Sequence, residues 1–309
     1  MDHQLLIFLF ILLVILLASE NEKLFNLLPG SLRFLLRNRK RSSLISPSQI
    51  LSRELLFKEE EMCQLSMLKS LLNDSNLLET QQRLSNKSLP KGIAVLLHGS
   101  PGTGKTESVM QIARETDRMI MKVEISQMRS KWYGENERLT KGIFRDYASL
   151  NSVCDRTPIL LFNEADAIFS TRTSADNSKI DKMENTVQNI LLEELEHFSG
   201  IMIATTNLAK NFDAAFERRF LFKIRFDKPD ISVNARIWKL KMPDMPETDC
   251  KTLASKFHFS GGQIDNVVRK NEIHQVIYGD SDSIDTIMDF CKEEEMQKSR
   301  AVVGFRQQF

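Results

Sequence analysis

The sequence predicts an α/β protein, a parallel sheet sandwiched by helices and followed by a small all-α lid. Three observations predict it. Residues 99–106 read Gly-Ser-Pro-Gly-Thr-Gly-Lys-Thr, a glycine-rich turn set between an apolar run at 93–97 and a helix-compatible stretch at 107–116. Apolar runs then alternate with helical patterns: 119–125, a helix near 135–150, 159–162, a further helix, and 201–205. Such alternation lays strands side by side in parallel, with helices over both faces. Beyond Pro229 the alternation stops, and 235–242, 249–257, 261–278 and 283–299 all carry helical spacing.

Residues 5–18 (LLIFLFILLVILLA) are uninterruptedly apolar, and no charge lies between Asp2 and Glu20. As a helix this run reaches about 21 Å, short of the roughly 30 Å hydrocarbon layer, a gap that flanking residues and local thinning can close. A secretory signal peptide needs a basic start, whereas this chain opens Met1-Asp2-His3. The basic residues come afterwards: Lys23, Arg33, Arg37, Arg39, Lys40 and Arg41. The expectation is a transmembrane segment at 1–19 with the remainder in the cytoplasm; a signal peptide and a docked leader are the alternatives. Residues 20–49 form a basic juxtamembrane linker, read as a stripe against anionic headgroups, a solvated linker or a nucleic-acid arm. Residues 50–72 show helical spacing with Glu59, Glu60 and Glu61 on the polar side, and a Ser/Asn/Lys-rich turn at 85–92 leads into the first strand. The expected organisation is a large α/β domain at 50–229, a helical lid at 230–300 and a tail at 301–309.

Composition narrows the classes of function. The chain has 309 residues, a net charge of +1 and 42% hydrophobic residues, enough for a sizeable core and without a globally basic surface, so no nucleic-acid partner is expected. Cys63, Cys154, Cys250 and Cys291 stand far apart with no C-x-x-C pair, which argues for a reduced compartment and against a zinc site. No H-E-x-x-H occurs among His3, His98, His197, His258 and His274.

The turn itself carries the chemistry. Gly99, Ser100, Pro101, Gly102, Thr103, Gly104, Lys105 and Thr106 match G-x-x-x-x-G-K-[ST] in full. Glycines let successive backbone N–H groups curl around a polyphosphate, and the following helix start adds partial positive charge. Lys105 can reach the β and γ phosphates, and the Thr106 hydroxyl can ligate Mg²⁺. With strand and helix in their places, this is a P-loop that binds a nucleoside triphosphate with Mg²⁺, and on such a sheet it could belong to a kinase, a GTPase or a motor.

Downstream, 159–166 reads Ile-Leu-Leu-Phe-Asn-Glu-Ala-Asp, 203–207 reads Ile-Ala-Thr-Thr-Asn, and 212–220 reads Phe-Asp-Ala-Ala-Phe-Glu-Arg-Arg-Phe. Residues 260–264 read Ser-Gly-Gly-Gln-Ile, and 130–137 read Ser-Lys-Trp-Tyr-Gly-Glu-Asn-Glu. With these motifs in this order, residues 50–279 resemble the AAA family of ATPases, closest in pattern to its katanin- and spastin-like protein-remodelling branch. The resemblance implies a Walker B strand with Glu164 activating water, a sensor in Asn207, and arginine fingers in Arg218 and Arg219. It also implies a lid turn at Gly261 and Gly262 against the nucleotide, and a pore loop in Trp132 and Tyr133. One position departs: Asn163 stands where the family has Asp, keeping an acceptor oxygen beside Thr106 at the metal but losing its charge. No arginine stands beside Gly262, where Gln263 follows, and Arg269 reads as a surface residue. The resemblance therefore implies a hydrolytic homo-oligomeric ring, a hexamer, acting on a polypeptide. The rival readings are a nucleotide-dependent scaffold with weak hydrolysis, motivated by Asn163, and a DNA-acting loader, motivated by the basic residues 37–41.

Overall fold

The computed structural model describes residues 43–124, 136–166, 179–207, 214–279 and 283–300. The apolar run 5–18, the basic stretch 37–41 and the pair Trp132 and Tyr133 lie outside the described residues. Among the described residues no helix is long and apolar enough to cross a membrane.

Six strands form one sheet: β1 (Ser43–Ile45), β2 (Ile93–Gly99), β3 (Ile120–Glu124), β4 (Ile159–Asn163), β5 (Ile201–Thr206) and β6 (Phe222–Phe226). Their order is β1-β3-β4-β5-β2-β6, with β1 antiparallel to β3 and every other pairing parallel. This is the sheet of a P-loop nucleoside-triphosphatase fold. Strands β2 to β5 are largely buried and mostly apolar because both faces are covered, with polar residues in β3 and at the carboxyl ends of β2, β4 and β5. Along β2, Ala94 and Leu96 point into one core, and Ile93, Val95 and Leu97 into the other.

On the first face lie α4 (Asn136–Asn151) and α5 (Lys179–His197), which contribute Ile143, Phe144, Tyr147, Val187 and Leu191. On the second lie α1 (Glu59–Leu71), α2 (Asp74–Asn86) and α3 (Lys105–Glu115), which contribute Leu68, Leu77, Val109 and Ile112. A buried arginine fastens this layer. Arg118, 1% exposed, donates to the Leu72 carbonyl at 2.7 and 3.1 Å, to the Thr157 carbonyl at 2.8 Å and to Asp74 at 2.5 Å. Its charge is thereby paired and its donors used, the condition under which a guanidinium is tolerated in a core.

After the four-residue helix α6 (Ala214–Glu217) and strand β6, only helices follow: α7 (Ile231–Lys241), α8 (Glu247–Lys256), α9 (Gly261–Tyr278) and α10 (Ile284–Arg300). They enclose their own core of Trp238, Leu253, Phe257, Ile264, Val267 and Ile287. Asp230 starts α7 by accepting the Val233 N–H at 2.8 Å, and Gly279 ends α9 in the left-handed conformation at φ 70°.

One expectation is corrected, and two elements appear that the sequence did not announce. The stretch 50–72 is helical only from Glu59. Before it the backbone is extended, because its polar groups bond to α3: the Leu51 carbonyl accepts from Gln111 at 2.9 Å and Arg53 N–H donates to Gln111 at 3.3 Å. Helix α2 occupies polar sequence that ran up to the turn at 85–92, and its Leu77 is the anchor that buries it. Strand β6 alternates in burial, with Lys223 and Arg225 exposed, so it carries no apolar run to announce it.

Candidate functional site

The chain leaves β2 for β3 on one side and later returns to place β6 on the other, so the strand order reverses at β2. Ligand crevices in open parallel sheets lie at the carboxyl ends of the strands at such a point. Residues 99–106 leave β2 there. Gly99 sits at φ 137°, and a Cβ on it would come within 2.0 Å of the Phe226 carbonyl oxygen, so only glycine passes β6 at this spot. Gly102 and Gly104 have φ 73° and 92°, and Gly104 is the N-cap of α3. These left-handed residues turn the loop back over the helix start, as a backbone cradle for phosphate requires.

Lys105 is the first residue of α3 and is 7% exposed. Its Nζ donates to the Gly99 carbonyl at 2.9 Å and the Ser100 carbonyl at 2.7 Å. Burial pushes its pKa down to about 8 although Asp166 pulls it upward. The ammonium is thus held on neutral carbonyls inside an anion-shaped loop, which leaves it underpaired until an anion arrives.

The end of β4 supplies the next group. Thr106 Oγ1 donates to Asn163 Oδ1 at 2.8 Å, and Thr205 Oγ1 donates to the same oxygen at 3.2 Å. The Thr205 hydroxyl in turn accepts the Glu164 N–H at 3.2 Å. Glu164 has φ 53°, a left-handed conformation that costs a non-glycine residue about 1–2 kcal/mol. That strain turns the residue out of the buried strand into the crevice, where it is exposed. A cavity of about 390 Å³ is bounded by Lys105, Thr106, Glu164, Thr206 and Asn207. Asp166 fixes its far wall by accepting from the Thr206 hydroxyl and from Asn207 N–H, the latter at 2.8 Å.

A second cavity, about 260 Å³, adjoins the first. The extended residues 53–57 form one wall, Gly102 and Gly104 the floor, and Ile237, Leu240 and Gly262 the lid side. Gly262 N–H donates to the Gly102 carbonyl at 2.9 Å, and a Cβ on Gly262 would meet Gly102 Cα at 3.1 Å, so the start of α9 rests on the loop through two glycines. Glu61 closes the back: one oxygen accepts Asp227 N–H at 3.1 Å and the other Lys58 N–H at 3.2 Å.

The arginine pair lies elsewhere. In the β2–β6 register Phe222 stands opposite Val95 and Phe226 opposite Gly99. Phe222 is therefore four residues, about 13 Å, below the loop, and Arg218 and Arg219 precede it toward the amino-terminal edge of the sheet. Arg219 is paired there with Glu196, at the end of α5, and Arg218 is exposed. Arg269 is likewise exposed, on α9.

Of the residues singled out from sequence, Gly99 through Thr106, Asn163, Glu164, Asn207, Gly261 and Gly262 gather around the two cavities, whereas Arg218 and Arg219 do not. Sequence reasoning gave no role to Asp166, Glu61 or residues 53–57. Asp166 was within reach, two positions after Glu164 in the same motif; the others become visible only through long-range contacts.

Residues 95–228 match the model of the ATPase family associated with various cellular activities (AAA). Among curated relatives, the chain is 34% identical over 190 residues to a proteasome-activating nucleotidase of Aeropyrum pernix, covering 58% of this chain and 44% of that protein. It is 28% identical over 184 residues to Protein SUPPRESSOR OF K(+) TRANSPORT GROWTH DEFECT 1 of Arabidopsis thaliana, covering 57% and 41%. It is 27% identical over 202 residues to vacuolar protein sorting-associated protein 4 of Dictyostelium discoideum, covering 61% and 42%. The chain thus spans less than half the length of each of these three. A solved chain from the E. coli MS115-1 HORMA:CdnC:Trip13 complex superposes with a TM-score of 0.64 at 18% identity, over 82% of this chain and 94% of that one, a likeness of fold.

Proposed function

We propose that this chain, whose residues 95–228 match the AAA ATPase family model, binds ATP with Mg²⁺, hydrolyses it within a homo-oligomeric ring, and uses the turnover to remodel or unfold polypeptide. The observation that carries the reading is the convergence of Lys105, Thr106, Asn163, Glu164 and Asn207 at the carboxyl ends of β2, β4 and β5. ATP is the substrate. The loop 99–104 wraps its phosphates, Lys105 exchanges its carbonyl partners for phosphate oxygens, and the second cavity takes the base against Leu55, Phe57, Ile237 and Leu240. The residues present suit Mg²⁺: Thr106 Oγ1 and Asn163 Oδ1 are hard oxygens already drawn together at 2.8 Å. Bound there, the ion would neutralise charge on the phosphates. Glu164 orients and polarises the attacking water, and Asn207, held by Asp166, bonds that water or the γ-phosphate.

The position of Arg218 and Arg219 supports a ring. They stand at the opposite edge of the sheet from their own P-loop, so a finger role requires a neighbour's nucleotide. The polypeptide substrate and the pore role of Trp132 and Tyr133 rest on sequence motifs and on relatives named as proteasome-activating and protein-sorting proteins. The run 5–18 supports a membrane anchor with the ATPase domain in the cytoplasm, independently of the chemistry. Asn163 favours a second reading, a scaffold that binds ATP and scarcely turns it over.

Two variants test the assignment. Lys105→Ala should lose ATP binding. Glu164→Gln should bind ATP and lose hydrolysis by about 10²–10³-fold, the scale of a removed transition-state contact. Wild-type turnover no faster than Glu164→Gln would leave the scaffold reading in possession.

A further inference from the structure

The charge missing at Asn163 has a neighbour able to supply it. Strands β3 and β4 pair in parallel, with Glu124 directly opposite Asn163 at their carboxyl ends. Asn163 is 8% exposed, and its amide is engaged on both sides. Oδ1 accepts from Thr106 and Thr205, while Nδ2 faces Glu124 Oε2 at 3.4 Å. An ionised carboxylate only accepts, so it is the amide nitrogen that must face Glu124. The oxygen is thereby turned toward Thr106, the other oxygen at the metal position. The second carboxylate oxygen of Glu124 receives Lys122 Nζ at 2.5 Å, and the two side chains are only 22% and 26% exposed.

We propose that Glu124 is a positioning residue for Mg²⁺: from the neighbouring strand it aims the Asn163 carbonyl at the metal subsite and restores the negative charge that Asn163 lacks. The inference rests on the reading of the crevice as a Mg²⁺–ATP site. Its physical basis is that outer groups orient ligands and set the field of a cation site, and that losing one such group lowers metal affinity about 10–100-fold. With the ion bound, the Glu124 carboxylate would act on it through the Asn163 amide and through space, where water is partly excluded. Lys122 opposes it by neutralising part of that charge. Glu124 and Asn163 form one unit, in which the neighbouring strand brings a carboxylate, partly offset by Lys122, to the amide at the metal subsite.

The test uses the full chain and a non-hydrolysable ATP analogue, with Mg²⁺ titrated and the midpoint of tightened nucleotide binding recorded. Mn²⁺ in place of Mg²⁺ gives a direct metal-binding readout by electron paramagnetic resonance. Glu124→Gln, which keeps the shape and the acceptor oxygen but removes the charge, should raise the Mg²⁺ midpoint about tenfold or more and leave metal-free nucleotide affinity unchanged. Adding Asn163→Asp to Glu124→Gln should bring the midpoint back to near the wild-type value. Lys122→Met should lower the midpoint, and this gives an independent arm should Glu124→Gln fold poorly. An unchanged midpoint in Glu124→Gln, or no recovery in the double variant, would mean that Glu124 merely pairs with Lys122. If wild type bound no nucleotide at any Mg²⁺ concentration, the ATP-site reading itself would fall, a result distinguishable from both.

Discussion

Raising the pH from 7 to 9 should weaken nucleotide binding about tenfold, through Lys105. In the nucleotide-free chain its ammonium is buried on two backbone carbonyls, and burial brings its pKa down to about 8. A polyphosphate placed against it supplies the opposite charge that the carbonyls do not, so in the complex the pKa rises and the ammonium keeps its proton. The complex therefore keeps a proton that the free site progressively gives up, and affinity must fall as pH climbs through 8. The protonated fraction of the free site drops from about nine-tenths at pH 7 to about one-tenth at pH 9, and the ratio is the tenfold loss, about 1.4 kcal/mol. His98 beside the loop adds nothing in this range, because burial and then Arg225 hold it below its ordinary value. Calorimetry with Mg²⁺ and ADP in two buffers of different ionisation enthalpy would read both affinity and proton uptake, which should approach about one proton at pH 9. Lys105→Met should bind weakly at every pH with a flat profile. A flat wild-type profile, or an equal slope in Lys105→Met, would refute the assignment of that proton.

Two further outcomes concern segments outside the described residues. Trp132→Ala should leave nucleotide binding and basal hydrolysis near wild type yet abolish stimulation by unfolded polypeptide; loss of folding, of the order of 3–5 kcal/mol for a truncated core tryptophan, would assign it to the core. The full chain should stay with membranes on alkaline carbonate extraction, and a chain starting near Ser43 should be soluble; complete release of the full chain would make residues 5–18 a peripheral leader.

What could be read from the sequence follows from how each element is buried. Strands β2 to β5 are covered on both faces, so their sequences are mostly apolar, interrupted in β3 by Lys122 and Glu124, and their positions were legible to within two residues. Strand β6 has an exposed face that admits Lys223 and Arg225, and β1 has three residues; neither leaves a run to detect. Residues 50–58 have the apolar spacing of a helix, but Gln111 and Arg114 on α3 engage Leu51, Arg53 and Ser52, holding the segment extended, a tertiary choice that no local pattern records. The same division holds at the site. Gly99 to Thr106 act through local backbone geometry and could be read directly, as could Glu164 at a strand end. Asp166 and Glu124 act through cross-strand partners, Thr206 and Asn163, whose register only the folded sheet supplies. The separation of Arg218 from the P-loop likewise comes from the β2–β6 pairing.

The central claim, that hydrolysis is shared between subunits, is met most directly by mixing two inactive variants. Lys105→Ala subunits keep their arginines and cannot hold ATP; Arg218→Ala/Arg219→Ala subunits hold ATP and lack the charge a neighbour needs, a loss of about 10³–10⁵ in turnover where such fingers act. Each alone should be silent. Mixed, they should recover Mg²⁺-dependent ATPase activity, because an interface between them pairs an intact P-loop with intact arginines. A mixture no more active than its parts, or full activity in a dilute wild-type monomer, would contradict the account.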